Sequence, residues 1–182
     1  MMPIGLWHRL RARVKGEKLN RREEGPLILL TLRPIAALSM AAFVTYLLSP
    51  ALMSWSSLPL PLWSRWFGVL LGVVSCALFI LTLRALGPNL TDTVVTRKKH
   101  SLVTSGPYRW VRHPFYVAFF LAVVANSLAT ANAFIASTAA IAFAIIVIRT
   151  RKEEENLLQR FGQDYLDYRT CTPSFVPRRP RR

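Results

Sequence analysis

Three consecutive carboxylates, Glu153, Glu154 and Glu155, stand in the segment RTRKEEENLL from Arg149 to Leu158. They are three of only nine acidic residues in a chain with 24 lysines and arginines, and they follow directly on an apolar run. Carboxylates held there can receive a cationic group. Arg149 and Glu153 are four residues apart, which puts both on one face of a helix. Taken alone, the segment also fits a solvated charged turn that ends a membrane span.

A second chemistry-bearing stretch is LVTSGPYRWVRHPFYVA, Leu102 to Ala118. It passes from a polar, basic loop into a long apolar run. Gly106-Pro107 makes a turn that sends Tyr108 back towards the apolar region. Pro114 suits the first turn of a helix. The N-terminus of that helix is a site for a carboxylate. Tyr108, Trp110, Phe115 and Tyr116 offer ring faces to a cation or a heterocycle. Arg112 and His113 also have an ordinary reading here, as side chains snorkelling to the headgroups. An acidic cluster, a helix N-terminus and aromatic faces together suit a zwitterion that carries an extra positive charge and an aromatic base.

The elements that must bring these stretches together are membrane spans. Of the 182 residues, 52% are hydrophobic and 18% charged, with a mean hydropathy of +0.30. The charges are bunched beside apolar runs, which is a membrane composition. The net charge of +15 therefore points to anionic lipid and not to nucleic acid. Cys76 lies in an apolar run and Cys171 in a basic tail, so no disulfide framework is expected. The three histidines are scattered, and no metal site is expected. Residues 1–25 have no apolar core of their own, so no cleavable signal peptide is expected.

The pattern predicts an all-α bundle of about four spans with a C-terminal helix on the cytoplasmic side. Residues 1–25 form a basic cytoplasmic arm, open to two readings: a short interfacial helix or a disordered tail. Residues 26–86 hold two spans. The first lies within 27–49, with its start expected near Pro34 and its course towards Trp55. Ser49 to Trp63 makes an outer turn, with Trp55 and Trp63 at headgroup level. The second span runs from about Leu62 to Leu86. Its Gly68-x-x-x-Gly72 stripe, continued by Cys76, is expected to pack within the chain.

Residues 87–177 hold a polar loop, a two-span hairpin broken at Asn126 to Asn132, and a tail helix with an apolar stripe of Leu157, Leu158, Phe161, Tyr165 and Tyr168. Gly162 bends or ends its first part, and the helix lies on the membrane or against the polar loop. Residues 178–182 read as a disordered basic tail. Seven lysines and arginines lie between Arg9 and Arg22, and the polar loop and tail are basic too. The positive-inside rule then puts both termini and both chemical stretches on the cytoplasmic side.

The series H-x-L-V-T-S-G-P-Y-x-W-x-R-H-P-x-Y, R-x-x-x-E-E, F-G-x-x-Y-x-x-Y and P-x-x-x-P, between Leu86 and Pro177, resembles the isoprenylcysteine carboxyl methyltransferase family, which is related to membrane phospholipid N-methyltransferases. The resemblance implies a membrane methyltransferase that uses S-adenosylmethionine. It implies cofactor contacts from His100, Ser101, Leu102, Val103, Tyr108, His113, Pro114, Phe115 and Tyr116. Glu153 would complete that pocket, with Glu154 as its alternative, and Arg149 would face a lipidic or apolar acceptor. Ala118 departs from the glycine common in the family, and the chain has fewer spans than the eukaryotic enzymes. A carboxylate acceptor needs no general base, whereas an amine or thiol would need one, with His113 or a glutamate as candidates. Two other classes stay open: a phospholipid or amine N-methyltransferase, and a non-catalytic membrane protein that binds anionic lipid or a partner.

Overall fold

The computed structural model describes residues 26–87 and 101–177. These form an all-α membrane bundle: α1 (Pro26–Leu48), α2 (Leu62–Leu86), α3 (Pro114–Thr130), α4 (Ala133–Phe161) and α5 (Gln163–Cys171). Among the described residues, α1, α2 and α4 are long and apolar enough to cross a membrane. The apolar α3 has 17 residues, or about 26 Å of helix, the lower end of what spans a bilayer. The protein is an integral membrane protein. The basic arm, residues 88–100 of the polar loop and the last five residues lie outside the described residues.

α2 has the bounds its sequence predicts. Its most extensive interface is with α3, and the small-residue stripe makes that contact possible. A Cβ on Gly68 would stand 2.7 Å from the Ala129 backbone N and 2.8 Å from the Ala125 O, while one on Gly72 would stand 3.7 Å from the Ala125 Cβ. The stripe continues at Ser75 and not at Cys76. Ser75 is fully buried and its hydroxyl donates to the Ala118 O at 2.8 Å, whereas Cys76 is only half-buried. Three residues on from Gly72 keep better to the contact face than four. Ala118 is buried under that hydroxyl.

The first span lies within one residue of the expected 27–49, but it neither starts near Pro34 nor reaches towards Trp55. α1 begins at Pro26, runs through Pro34 and ends at Leu48, before Trp55. Proline removes one helical hydrogen bond, a loss that membrane helices tolerate by local adjustment. The chain then turns through a 3₁₀ helix, Pro50–Ser56. Trp63 belongs to α2, and both Trp55 and Trp63 are exposed.

The hairpin forms where the polar break predicts it. α3 stops at Ala131, which takes a left-handed conformation at φ 46. Asn132 caps α4, its Oδ1 accepting from the Ile135 N at 3.1 Å. The same fully buried side chain accepts from Ser56 Oγ and donates to the Met53 O. Asn132 thus ties the hairpin to the 3₁₀ turn after α1. Arg65, near the start of α2, donates to the Ala129 O and the Tyr46 hydroxyl at the same end.

α4 spans 29 residues, about 44 Å, so it outruns a hydrocarbon core of about 30 Å. Its apolar part ends at Ile148, and Arg149–Phe161 continues as one helix beyond it. Gly162, at φ 51 and ψ −120, then takes a conformation that only glycine adopts without strain. This turn sets α5 against the loop before α3, where Tyr168 donates to the Tyr108 O at 2.6 Å.

Candidate functional site

The site forms where three segments meet at one end of the bundle: the stretch from Tyr108 to Tyr116, the polar end of α4, and the chain from α5 to Pro177. Gly106–Arg109 is a 3₁₀ turn, and Pro114 opens α3 with His113 as its N-cap. Backbone bonds strap the C-terminal segment to this junction. The Arg112 N donates to the Pro173 O at 2.8 Å, and the His113 N to the Ser174 O at 3.1 Å.

Arg112 is the hub. Its Nε and Nη2 donate to Glu154 Oε1 at 3.1 and 2.7 Å. The same guanidinium reaches the Thr172 O at 2.7 Å, the Arg169 O at 3.1 Å and Ser174 Oγ at 2.6 Å. Its side chain is 9% exposed, so it is not a snorkelling arginine. The sequence marks it only as the neighbour of His113, because its partners lie 42 to 62 residues further on.

His113 is 5% exposed. Its ring stacks on Tyr116 at 5.5 Å and tilts against Phe175 at 5.6 Å. Nε2 donates to Glu154 Oε1 at 3.0 Å. These bonds hold the Glu154 carboxyl at about 2: first the His113 bond, then Arg112, against the opposing push of burial.

Glu153 points to a different neighbour. Its Oε2 accepts from the Tyr116 hydroxyl. Tyr108 is close enough for the Glu153 charge to act on it; burial first, and then that charge, pushes its hydroxyl pKa up. The Arg149 charge acts on the Tyr116 hydroxyl. One acid is therefore paired through Oε1 with a guanidinium and an imidazole, and the next accepts from a phenol.

Of the residues singled out by sequence, Tyr108, His113, Tyr116, Arg149, Glu153 and Glu154 converge. Phe115 turns away, its ring 5.1 Å from Phe79 on α2. Pro114 is fully buried. Ser101, Leu102 and Val103 lie on the irregular segment leading to the 3₁₀ turn, Ser101 exposed and the other two half-buried. His100 lies outside the described residues. Among the described residues, no group of three His, Cys, Asp or Glu side chains is placed to hold a metal ion. Beside the cluster is a hollow of ≈ 480 Å³, lined by Leu78, Leu81, Trp110, Val117 and Phe175 among others. Phe175 thus touches both His113 and the hollow.

Residues 68–159 match the family model for the isoprenylcysteine carboxyl methyltransferase (ICMT) family, which covers half of the chain. The chain belongs to this family. The ICMT match starts inside α2 and ends just before Gly162, so it includes both the Tyr108–Tyr116 stretch and the Arg149–Glu154 turn. Among similar proteins, protein-S-isoprenylcysteine O-methyltransferase of Rattus norvegicus is 31% identical over 130 residues, 68% of this chain and 44% of that protein. The nickel-cobalt-cadmium resistance protein of Alcaligenes xylosoxydans xylosoxydans is 39% identical over 82 residues, 45% of this chain and 38% of that protein. The chain thus spans less than half the length of these relatives. A solved structure of a eukaryotic intramembrane Ras methyltransferase, isoprenylcysteine carboxyl methyltransferase, superposes with a TM-score of 0.57 at 25% identity, over 87% of this chain and 54% of that one.

Proposed function

We propose that the protein is a membrane methyltransferase that takes S-adenosylmethionine from the cytoplasmic side and transfers its methyl group to a carboxylate on a lipidic or apolar acceptor. The observation that carries this reading is the division of labour between adjacent acids. Glu154 is already paired with two cationic or proton-donating partners, Arg112 and His113, through Oε1, with Arg169 4.0 Å from Oε2, whereas Glu153 meets the neutral Tyr116 hydroxyl and keeps lone pairs for an ammonium group. Membership of the family supports the activity, and the bunched basic residues support the sidedness.

The donor set fits the cofactor. Glu153 would receive its ammonium, and Tyr108 and Tyr116 would offer ring faces to its cationic and heterocyclic parts. The bound cofactor supplies an already activated sulfonium methyl. The protein's task is then positioning and exclusion of water. Arg149, at the point where α4 leaves its apolar part, would hold the acceptor carboxylate. The apolar hollow beside Phe175 supports an acceptor with a lipid chain. A carboxylate needs no general base, and His113 is poorly suited to be one because Glu154 holds its Nε2. An amine acceptor would need a base, and the glutamate left for that role, Glu153, is the one that receives the cofactor's ammonium in this reading, so the O-methyl reading is favoured over the N-methyl one.

The experiment is to incubate membranes containing the protein with methyl-labelled S-adenosylmethionine and to treat the product with base. The reading predicts label in a lipid-soluble fraction, released as methanol by base. Label that resists base would exclude the ester, and no transfer at all would exclude the enzyme.

A further inference from the structure

Tyr165 is the third residue of α5 and is 1% exposed. Its hydroxyl has no hydrogen-bond partner. Other tyrosines of the bundle are engaged: Tyr46 accepts from Arg65, Tyr116 donates to Glu153 and Tyr168 donates to the Tyr108 O. A buried hydroxyl without a partner costs stability that a phenylalanine of the same shape would not. Something outside the described protein atoms must repay that cost.

The surroundings say what. The hydroxyl sits within reach of the Glu154, Arg112, Arg169 and Glu153 charges, and burial, followed by Glu154, pushes its pKa up to about 12. It is therefore a proton donor at any ordinary pH, and it needs an acceptor. Glu154 Oε1 already takes three bonds, Glu154 Oε2 lies 4.0 Å from Arg169, Glu153 takes Tyr116, and none of these oxygens meets the Tyr165 hydroxyl. Arg169, half exposed and 4.0 Å from Glu154, adds a cationic rim. A second buried hydroxyl without a partner, Thr150 Oγ1, lies one helical turn before Glu154 on α4. Thr82, Thr130 and Thr138 bond back to the carbonyl four residues earlier, so the unmet hydroxyl of Thr150 is an exception among the helical threonines. The position of Tyr165 is fixed on both sides, by the turn at Gly162 and by the bonds that hold Arg169 and Thr172 to Arg112.

We infer that Tyr165 is a ligand-binding residue whose hydroxyl donates to the carboxylate of an α-amino-acid zwitterion, with the ammonium of the same group on Glu153. The inference rests on the proposed function, in which that zwitterion is the methionine end of the methyl donor. Tyr165 lies outside the 68–159 family match.

The test is calorimetric titration of S-adenosylmethionine and of its decarboxylated analogue into the purified full chain in detergent, as wild type and as Tyr165→Phe. The wild type should bind S-adenosylmethionine about 10- to 100-fold more tightly than the decarboxylated analogue, the range of a hydrogen bond to a charged group. In Tyr165→Phe that preference should largely vanish. The apparent Tm of the ligand-free variant should equal or exceed that of the wild type, because the lost hydroxyl has no partner to lose. Retention of the full preference in Tyr165→Phe would overturn the inference and leave the proposed function standing. So would a fall of several degrees in the ligand-free Tm, which would reveal a partner inside the protein. Failure of the wild type to bind either compound would overturn the proposed function, and the inference with it.

Discussion

Replacing Glu154 by glutamine should damage the fold more than the chemistry. The glutamine keeps the shape and one acceptor oxygen but loses the charge. In the wild type, Oε1 accepts from Arg112 Nε at 3.1 Å, Arg112 Nη2 at 2.7 Å and His113 Nε2 at 3.0 Å. A hydrogen bond to a charged group contributes about 1 kcal/mol more than a neutral one, so three such bonds set an upper value of about 3 kcal/mol. All three converge on one oxygen, and the Glu154 side chain is 16% exposed. Sharing and screening bring the expected loss to about 2 kcal/mol. For a chain of this length that is a fall of roughly 4–8 °C in apparent Tm, measured in detergent by near-ultraviolet circular dichroism. The Thr172–Phe175 strap should loosen with it, because the same guanidinium also holds the Arg169 O, the Thr172 O and Ser174 Oγ. Trypsin should then cut at Arg169 sooner in the variant. A Glu154→Gln protein with wild-type Tm and an equally protected Arg169 would refute the view that this acid holds the architecture.

Three further outcomes follow from the same coordinates. Gly68→Ala places a Cβ 2.7–2.8 Å from the backbone of α3; despite the better helix propensity of alanine, separation of α2 from α3 should lower stability by about 1–2 kcal/mol, and an unchanged Tm would contradict the close approach. Asn132→Ala removes a helix cap and the bonds to Ser56 and Met53, for an expected loss of about 2–4 kcal/mol by the same thermal assay. The Glu154 carboxyl is held at about 2, well below the ordinary 4.5 of a glutamate. Its contribution is therefore present in full above about pH 5 and is lost as pH falls towards 2. The wild-type Tm should drop more steeply than that of Glu154→Gln over this window, and parallel curves would contradict the assignment.

Much of the bundle was legible because its signals are local. Leu62–Leu86, the helix start at Pro114, the break that ends in the Asn132 cap and the bend at Gly162 all follow from apolar length, proline, asparagine and glycine within a few residues of the event. α1 passed through Pro34 because a lipid-facing helix absorbs a proline that would end a helix in water. The stripe on α2 passed through Ser75 because the contact face depends on the crossing with α3, which no single helix encodes. The family series pointed to the two stretches that meet. It left open which of Glu153 and Glu154 meets a ligand, since adjacent residues on a helix differ in direction by about 100° and only the fold shows which one Arg112 claims. Arg112 read as an ordinary snorkelling residue for the same reason: its carboxylate lies 42 residues away. The strap from Thr172 to Phe175 is held in part by backbone bonds to Arg112 and His113, which have no side-chain signature. The burial of Tyr165 was foreshadowed only by its place in the apolar stripe of the tail helix.

The central claim, that Glu153 binds the methyl donor while Glu154 holds the site together, is tested most directly by calorimetric titration of S-adenosylmethionine into purified wild type and Glu153→Gln. Glutamine can still accept from the Tyr116 hydroxyl, so the ligand-free Tm should stay within about 2 °C of wild type, a shift of at most about 1 kcal/mol in a chain of this size. The account predicts binding by the wild type and a loss of about 10- to 100-fold in Glu153→Gln, the range of a charge-assisted hydrogen bond. Undiminished affinity in that variant would contradict it.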